Sequence, residues 1–540
     1  MINPLLAIDF YKADHRRQYQ KGTNLIYSNF TPRSFKRYKG NQTKLVWMGL
    51  QVFIKDYLIK DWNEGFFNRP KNEVVEEYRI FMDSTLGQDA IPVEHIAALH
   101  DLGYLPILIK SLPEGTLVPA KIPVLTIVNT NPDFFWLVNY LETVMSTELW
   151  KIATNATIAY EYKQNFIKYA DLTGANKDFI VFQGHDFSAR GLSNREDQYK
   201  TQISHLSSFV GTDTCLAIQG AKDFYNADYT KELVGTSVPA TEHSVMCSNI
   251  AYIKDQLDTI GFWSYTNKDG EYRDLKIRDL QFDKSHTNTQ RLAEIAYIYY
   301  IITELYPTGI VSIVADSFDF WYLMQYGIKV LKPAIEARQP NLLGLAKVVF
   351  RPDSGNPVDI ICGREPVYYN GIPNIPLIAQ KGAIEALWET FGGTVNQEGY
   401  KELNFKVGLI YGDSITLDRQ VEILERLMVK QFASSNIVLG IGSFTYQYNT
   451  RDTFGFAMKA TYSEVNTNGI NIYKDPATDD GTKKSAKGLL RVDSINGKLV
   501  LHDEVTKEME GGLLQPVFKD GTLLVDVSLS EIRKRINNDN

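Results

Sequence analysis

The sequence predicts an α/β fold: a (β/α) barrel-like domain joined to a second, β-rich domain built from the two ends of the chain. Three observations predict it. Six short apolar runs recur through the middle of the chain, and each breaks off into Gly, Asp, Ser or Arg. Near-continuous apolar strands imply burial on both faces, as in a parallel sheet covered by helices. Polar residues collected where such strands end place a site at the carboxyl edge of the sheet. Towards the end of the chain, the apolar segments shorten and alternate with turn residues, a pattern of antiparallel structure.

The most explicit run is Val348-Val349-Phe350, which ends in Arg351, Asp353, Ser354 and Asn356, punctuated by Pro352, Gly355 and Pro357. Alone it reads as a strand followed by a polar turn; repetition gives it weight. Residues 179–182 run into Gly184-His185-Asp186-Phe187 and Arg190, and Phe209-Val210 into Gly211-Thr212-Asp213-Thr214. Residues 310–314 run into Asp316, Ser317 and Asp319, residues 407–410 into Gly412-Asp413-Ser414, and residues 437–439 into Gly440-Ile441-Gly442-Ser443. The span from 179 to 445 suits one barrel, which takes about 250 residues. The barrel domain is placed at residues 151–455, and the second domain at residues 1–150 with 456–540.

Taken in order, the first 130 residues mix short strands and helices. Residues 45–51 enter a helix, and 107–110 begin a strand region punctuated by Pro113, Gly115, Pro119 and Pro123. Asn131-Pro132-Asp133 opens a helix whose apolar periodicity continues towards Tyr169. Beyond the barrel, residues 456–465 and 470–473 read as strands, and 485–526 as short strands and turns. Two polar, glycine-punctuated or helical stretches, 253–300 and 360–403, read as peripheral decoration.

Composition excludes several classes. With 540 residues the chain exceeds one core, so two or three domains are expected. Apolar residues make up 44% and charged residues 22%, ordinary for a soluble globular protein. The net charge of −7, from 57 basic and 64 acidic residues, argues against a nucleic-acid-binding surface but leaves room for a local basic pocket. Cys215, Cys247 and Cys362 have no metal-ligand spacing and no disulfide framework, which points to a reducing compartment. The start lacks a basic segment before its apolar residues, and no run reaches the ~18 apolar residues of a membrane span. A cytoplasmic protein without membrane partners is expected.

His243 is the most informative histidine, with Glu242 beside it in the segment Ser237-Val238-Pro239-Ala240-Thr241-Glu242-His243-Ser244. A lone histidine more often packs or hydrogen-bonds. Imidazole also serves as nucleophile or proton shuttle when a carboxylate orients its other nitrogen, and Asp316, at a neighbouring strand end, is the candidate. The Gly442-Ser443 turn follows a strand and brings backbone N–H groups where a phosphate could approach; by itself a G-x-G is a turn, and it does not satisfy the dinucleotide fingerprint. Arg451 and Lys474 sit in defined turns near Lys459 and Lys483, and several cations beside a phosphate turn suit a polyphosphate. Lys484 and Lys487 read as solvated surface, and Asp479-Asp480-Gly481-Thr482 as a loop.

In its ordered motifs the chain resembles the nicotinamide phosphoribosyltransferase family, type II phosphoribosyltransferases, nearly end to end. The marks are residues 5–12; His185-Asp186-Phe187 with Arg190-Gly191; Gly211-Thr212-Asp213-Thr214; Ser237-Val238-Pro239-Ala240 with Glu242-His243-Ser244; and Ala315-Asp316-Ser317-Phe318-Asp319. To these are added residues 351–357, Gly412-Asp413, Thr450-Arg451-Asp452, and Gly469-Ile470-Asn471 leading to Lys474-Asp475-Pro476. Departures are Phe444 after Gly442-Ser443, where the family usually continues with glycine, and Ser414, where it often has glycine.

The resemblance implies transfer of 5-phosphoribosyl from phosphoribosyl pyrophosphate to nicotinamide, giving nicotinamide mononucleotide and pyrophosphate for NAD salvage. It implies a homodimer with active sites at the subunit interface, Mg²⁺ carried mainly by the diphosphate, and ATP as co-substrate. Phe187 and the partner's Tyr11 would sandwich the pyridine ring, with Asp9 among the substrate contacts. Asp213 would accept the carboxamide N–H, with Ser237, Ser312 and Arg351 near the amide. Arg190, Arg351, Gly442 and Ser443 would hold the ribose phosphate, and Asp353, Gly412 and Asp413 the ribose. Arg33, Arg451, Lys459, Lys474 and Lys483 would hold pyrophosphate. His243 would be phosphorylated by ATP, assisted by Glu242 and Asp316.

These residue types suit a displacement through an oxocarbenium-like state, with carboxylates near the sugar and cations around the leaving diphosphate. Asp213 opposes a nicotinate-using enzyme, because its charge would repel that substrate. A sugar-processing barrel using Asp316 and Asp353 is opposed by the cation set and the phosphate turn. A catalytically silent protein is opposed by retention of His243, Asp213, Arg351 and Asp353.

Overall fold

The apolar runs of the central region converge on one six-stranded parallel sheet. In spatial order its strands are Val311–Val314, Val348–Arg351, Val407–Tyr411, Ile437–Ile441, Gly184–Asp186 and Gly211–Thr212. A computed structural model describes residues 3–475, 478 and 484–538. Parallel bridges Gly211–Thr236 and Ala240–Ser312 tie the 236–240 segment to both edge strands, so this segment lies across the opening between them. The fold is mixed α/β, with the parallel sheet forming a half-barrel.

The strand from Val348 shows how the sheet divides its side chains. Val348 and Phe350 are fully buried in the apolar core cluster, while Lys347, Val349 and Arg351 line an interior cavity. That alternation follows from the two-residue period of a strand.

The 179–182 run differs from its expected strand. Lys177–Phe179 is a 3₁₀ turn and Ile180–Gln183 a helix, with the strand starting only at Gly184. Asn176 explains this locally: its side chain accepts the Asp178 N–H and starts the helical turn. Near the start of the chain, the 45–51 stretch divides into the strand Lys44–Val46 and a helix beginning at Leu50, separated by Gly49 at φ 112°.

A seven-stranded antiparallel sheet combines strands from both ends of the chain. Its order is Asn468–Asn471, Ala457–Val465, Thr23–Thr31, Leu125–Asn129, Ile107–Ser111, Gln515–Lys519 and Thr522–Leu523. Asn131 caps the 3₁₀ turn Pro132–Phe134 as its sequence context predicts. The 32-residue helix Glu142–Thr173 then runs between the two apolar cores and ends at Gly174 in a left-handed conformation. Leu149 and Ala153 pack with the antiparallel sheet, and Tyr162, Phe166 and Tyr169 with the parallel one.

The stretches 253–300 and 360–403 are only partly peripheral. The helix Thr289–Tyr300 buries Leu292, Ile295 and Ile298, and the helix Ala383–Phe391 buries Ile384 and Leu387 against the parallel sheet. Parallel strands need helices over their outer face, and these two supply part of that layer. The hairpin of Phe262–Thr266 and Tyr272–Lys276 stays largely outside. Among the described residues, no helix is long and apolar enough to cross a membrane.

Candidate active site

A cavity of about 290 Å³ runs along the parallel strands, lined towards their carboxyl ends by Phe187, Asp213, Ser237 and Arg351, by Ser312 within its strand, and towards their amino ends by Lys347 and Asn436. Asp213 follows the strand Gly211–Thr212, and its amide donates to the Asp186 carbonyl at the end of the neighbouring strand. Its Oδ1 accepts from Ser237 Oγ at 2.6 Å and from His185 Nε2 at 2.9 Å. Burial raises the Asp213 pKa, but the His185 and Ser237 hydrogen bonds, with Arg351 nearby, more than reverse this and hold it below the usual carboxylate range.

Arg351 closes the other side. Its guanidinium lies 5.9 Å from the Phe187 ring centroid, and Nη2 donates to the Thr241 carbonyl at 2.8 Å. Its Nε stands 3.8 Å from Asp353 Oδ2, beyond hydrogen-bonding distance. Arg351 Nε, Asp353 Oδ1 and Ser312 Oγ are buried without a hydrogen-bond partner. A buried unsatisfied polar atom costs about 1–3 kcal/mol. Three in one region favour a polar ligand over an apolar one.

Next to this cavity, Asp316 joins His243 to the loop after Arg351. Asp316 Oδ1 meets His243 Nε2 at 3.1 Å, while Oδ2 accepts the amides of Asp353 at 2.9 Å and Ser354 at 2.8 Å. Burial raises the Asp316 pKa, but bonds from Ser354, Asp353 and His243 hold it below its ordinary value. Asp353 shifts the other way: burial raises it, Arg351 offsets part of that, and the Asp316 charge adds to the rise. His243 is the first residue of the helix His243–Ile260, with exposed Glu242 as its N-cap. Glu242 forms no side-chain capping bond there.

Glycines allow close approach of two side chains beside the cavity. A Cβ on Gly412 would lie 2.3 Å from Asp353 Oδ1, and one on Gly191 2.0 Å from Ser443 Oγ. Gly412-Asp413 therefore adjoins Asp353, and Ser443 adjoins the turn carrying exposed Arg190. Gly442 is the N-cap of the short helix Ser443–Gln447. Ser414 adopts φ 53°, a left-handed conformation that favours glycine.

Most of the remaining predicted residues lie around other cavities of this chain. Arg33 and Lys459 line one of about 210 Å³. Asp9, Tyr11 and Arg451 line another of about 270 Å³, where Tyr11 is 61% exposed. Lys474 is exposed, and its amide donates to Ser485 Oγ. Lys484, read as solvated surface, also lines the Arg33 cavity and pairs with Asp475 at 3.1 Å. Lys483 and the 479–482 loop lie outside the described residues. Among the described residues, no cluster of three or more His, Cys, Asp or Glu side chains is arranged to hold a metal.

Two partners of the site were not singled out from sequence. His185 bonds Asp213 from the neighbouring strand, and Thr241 supplies the carbonyl for Arg351 while its hydroxyl accepts the Val314 N–H. His185 stands in a motif but carries no local sign of its partner; Thr241 acts through its backbone, where side-chain patterns are silent.

Residues 182–521 match the nicotinate phosphoribosyltransferase (NAPRTase) family. A curated nicotinamide phosphoribosyltransferase from Acinetobacter baylyi is 51% identical over 540 residues, covering 99% of this chain and 97% of the relative. One from Mycoplasma pneumoniae is 32% identical over 511 residues, covering 92% of this chain and 96% of the relative. The crystal structure of human nicotinic acid phosphoribosyltransferase shares the fold, with a TM-score of 0.52 at 13% identity, covering 98% of this chain and 93% of that one.

Proposed function

The chain belongs to the nicotinate phosphoribosyltransferase family, and we propose that it transfers 5-phosphoribosyl from phosphoribosyl pyrophosphate to nicotinamide. The products are nicotinamide mononucleotide and pyrophosphate, a step of NAD salvage. The observation that carries the choice of substrate is Asp213, an ionised acceptor held by Ser237 and His185 in the cavity shared with Phe187 and Arg351. It accepts the carboxamide N–H and repels the carboxylate of nicotinate. In a partly dry pocket such a mismatch costs about a few kcal/mol.

The ring stacks on Phe187, and the unpartnered Ser312 hydroxyl and Arg351 Nε face the amide side. As the bond to the leaving diphosphate breaks, positive charge grows on the anomeric carbon, and Asp353 and Asp413 stabilise it. The pyridine nitrogen forms the new bond to that carbon, and pyrophosphate departs with the electron pair. Arg190, Gly442 and Ser443 hold the 5-phosphate. Arg33, Arg451, Lys459, Lys474 and Lys483 hold the diphosphate.

The pyridine residues line one cavity of the chain, Arg33 and Lys459 a second, and Arg451 a third. A homodimer brings these sets together, with Tyr11 of the partner subunit on the second face of the ring. In this reading residues 151–455 form the catalytic barrel, and residues 1–150 with 456–540 the domain that contributes to the interface. Mg²⁺ would be carried mainly by the diphosphate. There it would neutralise charge on the leaving group.

ATP couples through His243: the γ-phosphoryl passes to a ring nitrogen, ADP leaves, and Asp316 orients the imidazole with Glu242 alongside. The N-terminus of an 18-residue helix favours the added negative charge. The enzyme acts in the cytoplasm. The test is product formation from nicotinamide or nicotinate, phosphoribosyl pyrophosphate and Mg²⁺, with and without ATP. Mononucleotide from nicotinamide in preference to nicotinate is expected; no product from the amide overturns the reading.

A further inference from the structure

Around the cavity that holds Arg33 and Lys459, the charge is one-sided. Its lining carries four cations, Arg33, Lys121, Lys459 and Lys484, with the hydroxyls of Thr31 and Ser485, and no acidic residue. Lys121 is the unusual member. It adopts φ 69°, a left-handed conformation that L side chains other than Asn and Asp rarely take. Its amide donates to the Pro32 carbonyl at 2.7 Å, which fixes it beside the residue preceding Arg33. Its ammonium makes no ion pair or side-chain hydrogen bond among the described residues. A strained backbone that presents an unpaired cation to a basic cavity is an outlier from which a functional role is inferred.

We propose that Lys121 binds the diphosphate of the sugar substrate together with Arg33 and Lys459, an inference that rests on the phosphoribosyl-transfer reading above. The neighbourhood supports it. Burial depresses Lys459, and the charges of Arg33, Lys474 and Lys12 act in the same direction against the single opposing carboxylate of Glu142. A dianionic or more highly charged ligand relieves this repulsion, and a second phosphoryl group gives Lys121 its own oxygen atoms to contact. Two linked phosphates fit separated cations better than one phosphate does.

Lys121→Gly separates function from folding, because glycine suits the observed backbone and removes only the cation. Binding of inorganic pyrophosphate with Mg²⁺ is measured by calorimetry, and kinetics are measured with nicotinamide saturating. In Lys121→Gly the pyrophosphate Kd and the KM for phosphoribosyl pyrophosphate rise about ten-fold. The nicotinamide KM stays within about twofold, and the melting temperature holds or rises. Lys121→Arg keeps most of the affinity. Unchanged pyrophosphate affinity in Lys121→Gly overturns the proposal, as does a Lys121→Arg variant as defective as Lys121→Gly. Wild-type protein that binds pyrophosphate but forms no mononucleotide would remove the functional reading instead.

Discussion

Asp213 and His185 face each other across a 2.9 Å hydrogen bond from neighbouring strand ends, with the imidazole Nε2 meeting the same Oδ1 that Ser237 holds. The carboxylate is thereby kept ionised and aimed, and its depressed pKa keeps it charged throughout the neutral range. In Asp213→Ser the nicotinamide-to-nicotinate ratio of kcat/KM falls at least about ten-fold, because the like charge against nicotinate is gone. The wild-type ratio stays flat between pH 6 and 8. An unchanged ratio in the variant removes Asp213 from the choice of substrate.

Asp316 connects His243 to the loop after Arg351, since one oxygen meets His243 and the other accepts the Asp353 and Ser354 amides. His243→Ala therefore abolishes ATP stimulation while leaving basal transfer. Asp316→Asn weakens stimulation and also disturbs the 353–354 loop, so basal kcat falls as well. The check is the initial rate with and without ATP, alongside acid-labile phosphate on the protein. Equal stimulation in wild type and His243→Ala ends the phosphohistidine role.

The strand ends were legible because Val, Ile and Phe runs stop abruptly at Gly, Asp or Arg, a strong local signal. The 179–182 run shows the limit of that signal: a short apolar stretch reads alike as buried strand or buried helix, and Asn176 decides it. The Asp213–His185 pair spans 28 residues and exists only because two parallel strands lie side by side. Lys459 reaches the neighbourhood of Arg33 through antiparallel pairing of its strand with Thr23–Thr31, where Lys459 faces Asn29. Such long-range registry leaves no trace in local composition. Ser414 was the converse, a departure visible in sequence whose backbone keeps the glycine-like conformation.

Gly440 sets how deep Phe187 sits. A Cβ there would lie 2.7 Å from Phe187 Cδ2 and 2.9 Å from both Gly412 Cα and the Tyr411 carbonyl oxygen. Two of these neighbours are backbone and cannot swing aside. Gly440→Ala costs about 1–3 kcal/mol of stability, displaces the Phe187 ring, and raises the nicotinamide KM more than that for phosphoribosyl pyrophosphate. Denaturant melts and the two KM values test it; a KM change confined to phosphoribosyl pyrophosphate would show that Gly440 does not govern the ring.

Glu294 provides a stability test independent of turnover. It is 2% exposed on the helix Thr289–Tyr300, and its Oε1 has no hydrogen-bond partner. Burial first, then the charges of Asp319 and Asp316, push its carboxyl from 4.5 up to about 8. A raised folded pKa means that the folded state keeps a proton which the unfolded chain releases. Stability from this group is intact below about pH 4.5 and is lost as pH rises through 8. Glu294→Gln removes the titration, so its stability relative to wild type improves with pH, by on the order of 3 kcal/mol between pH 4 and pH 7. Urea midpoints of both proteins across that range measure the difference. A difference that does not change with pH would mean that Glu294 ionises normally in the folded protein, through a polar contact or water reaching its carboxylate.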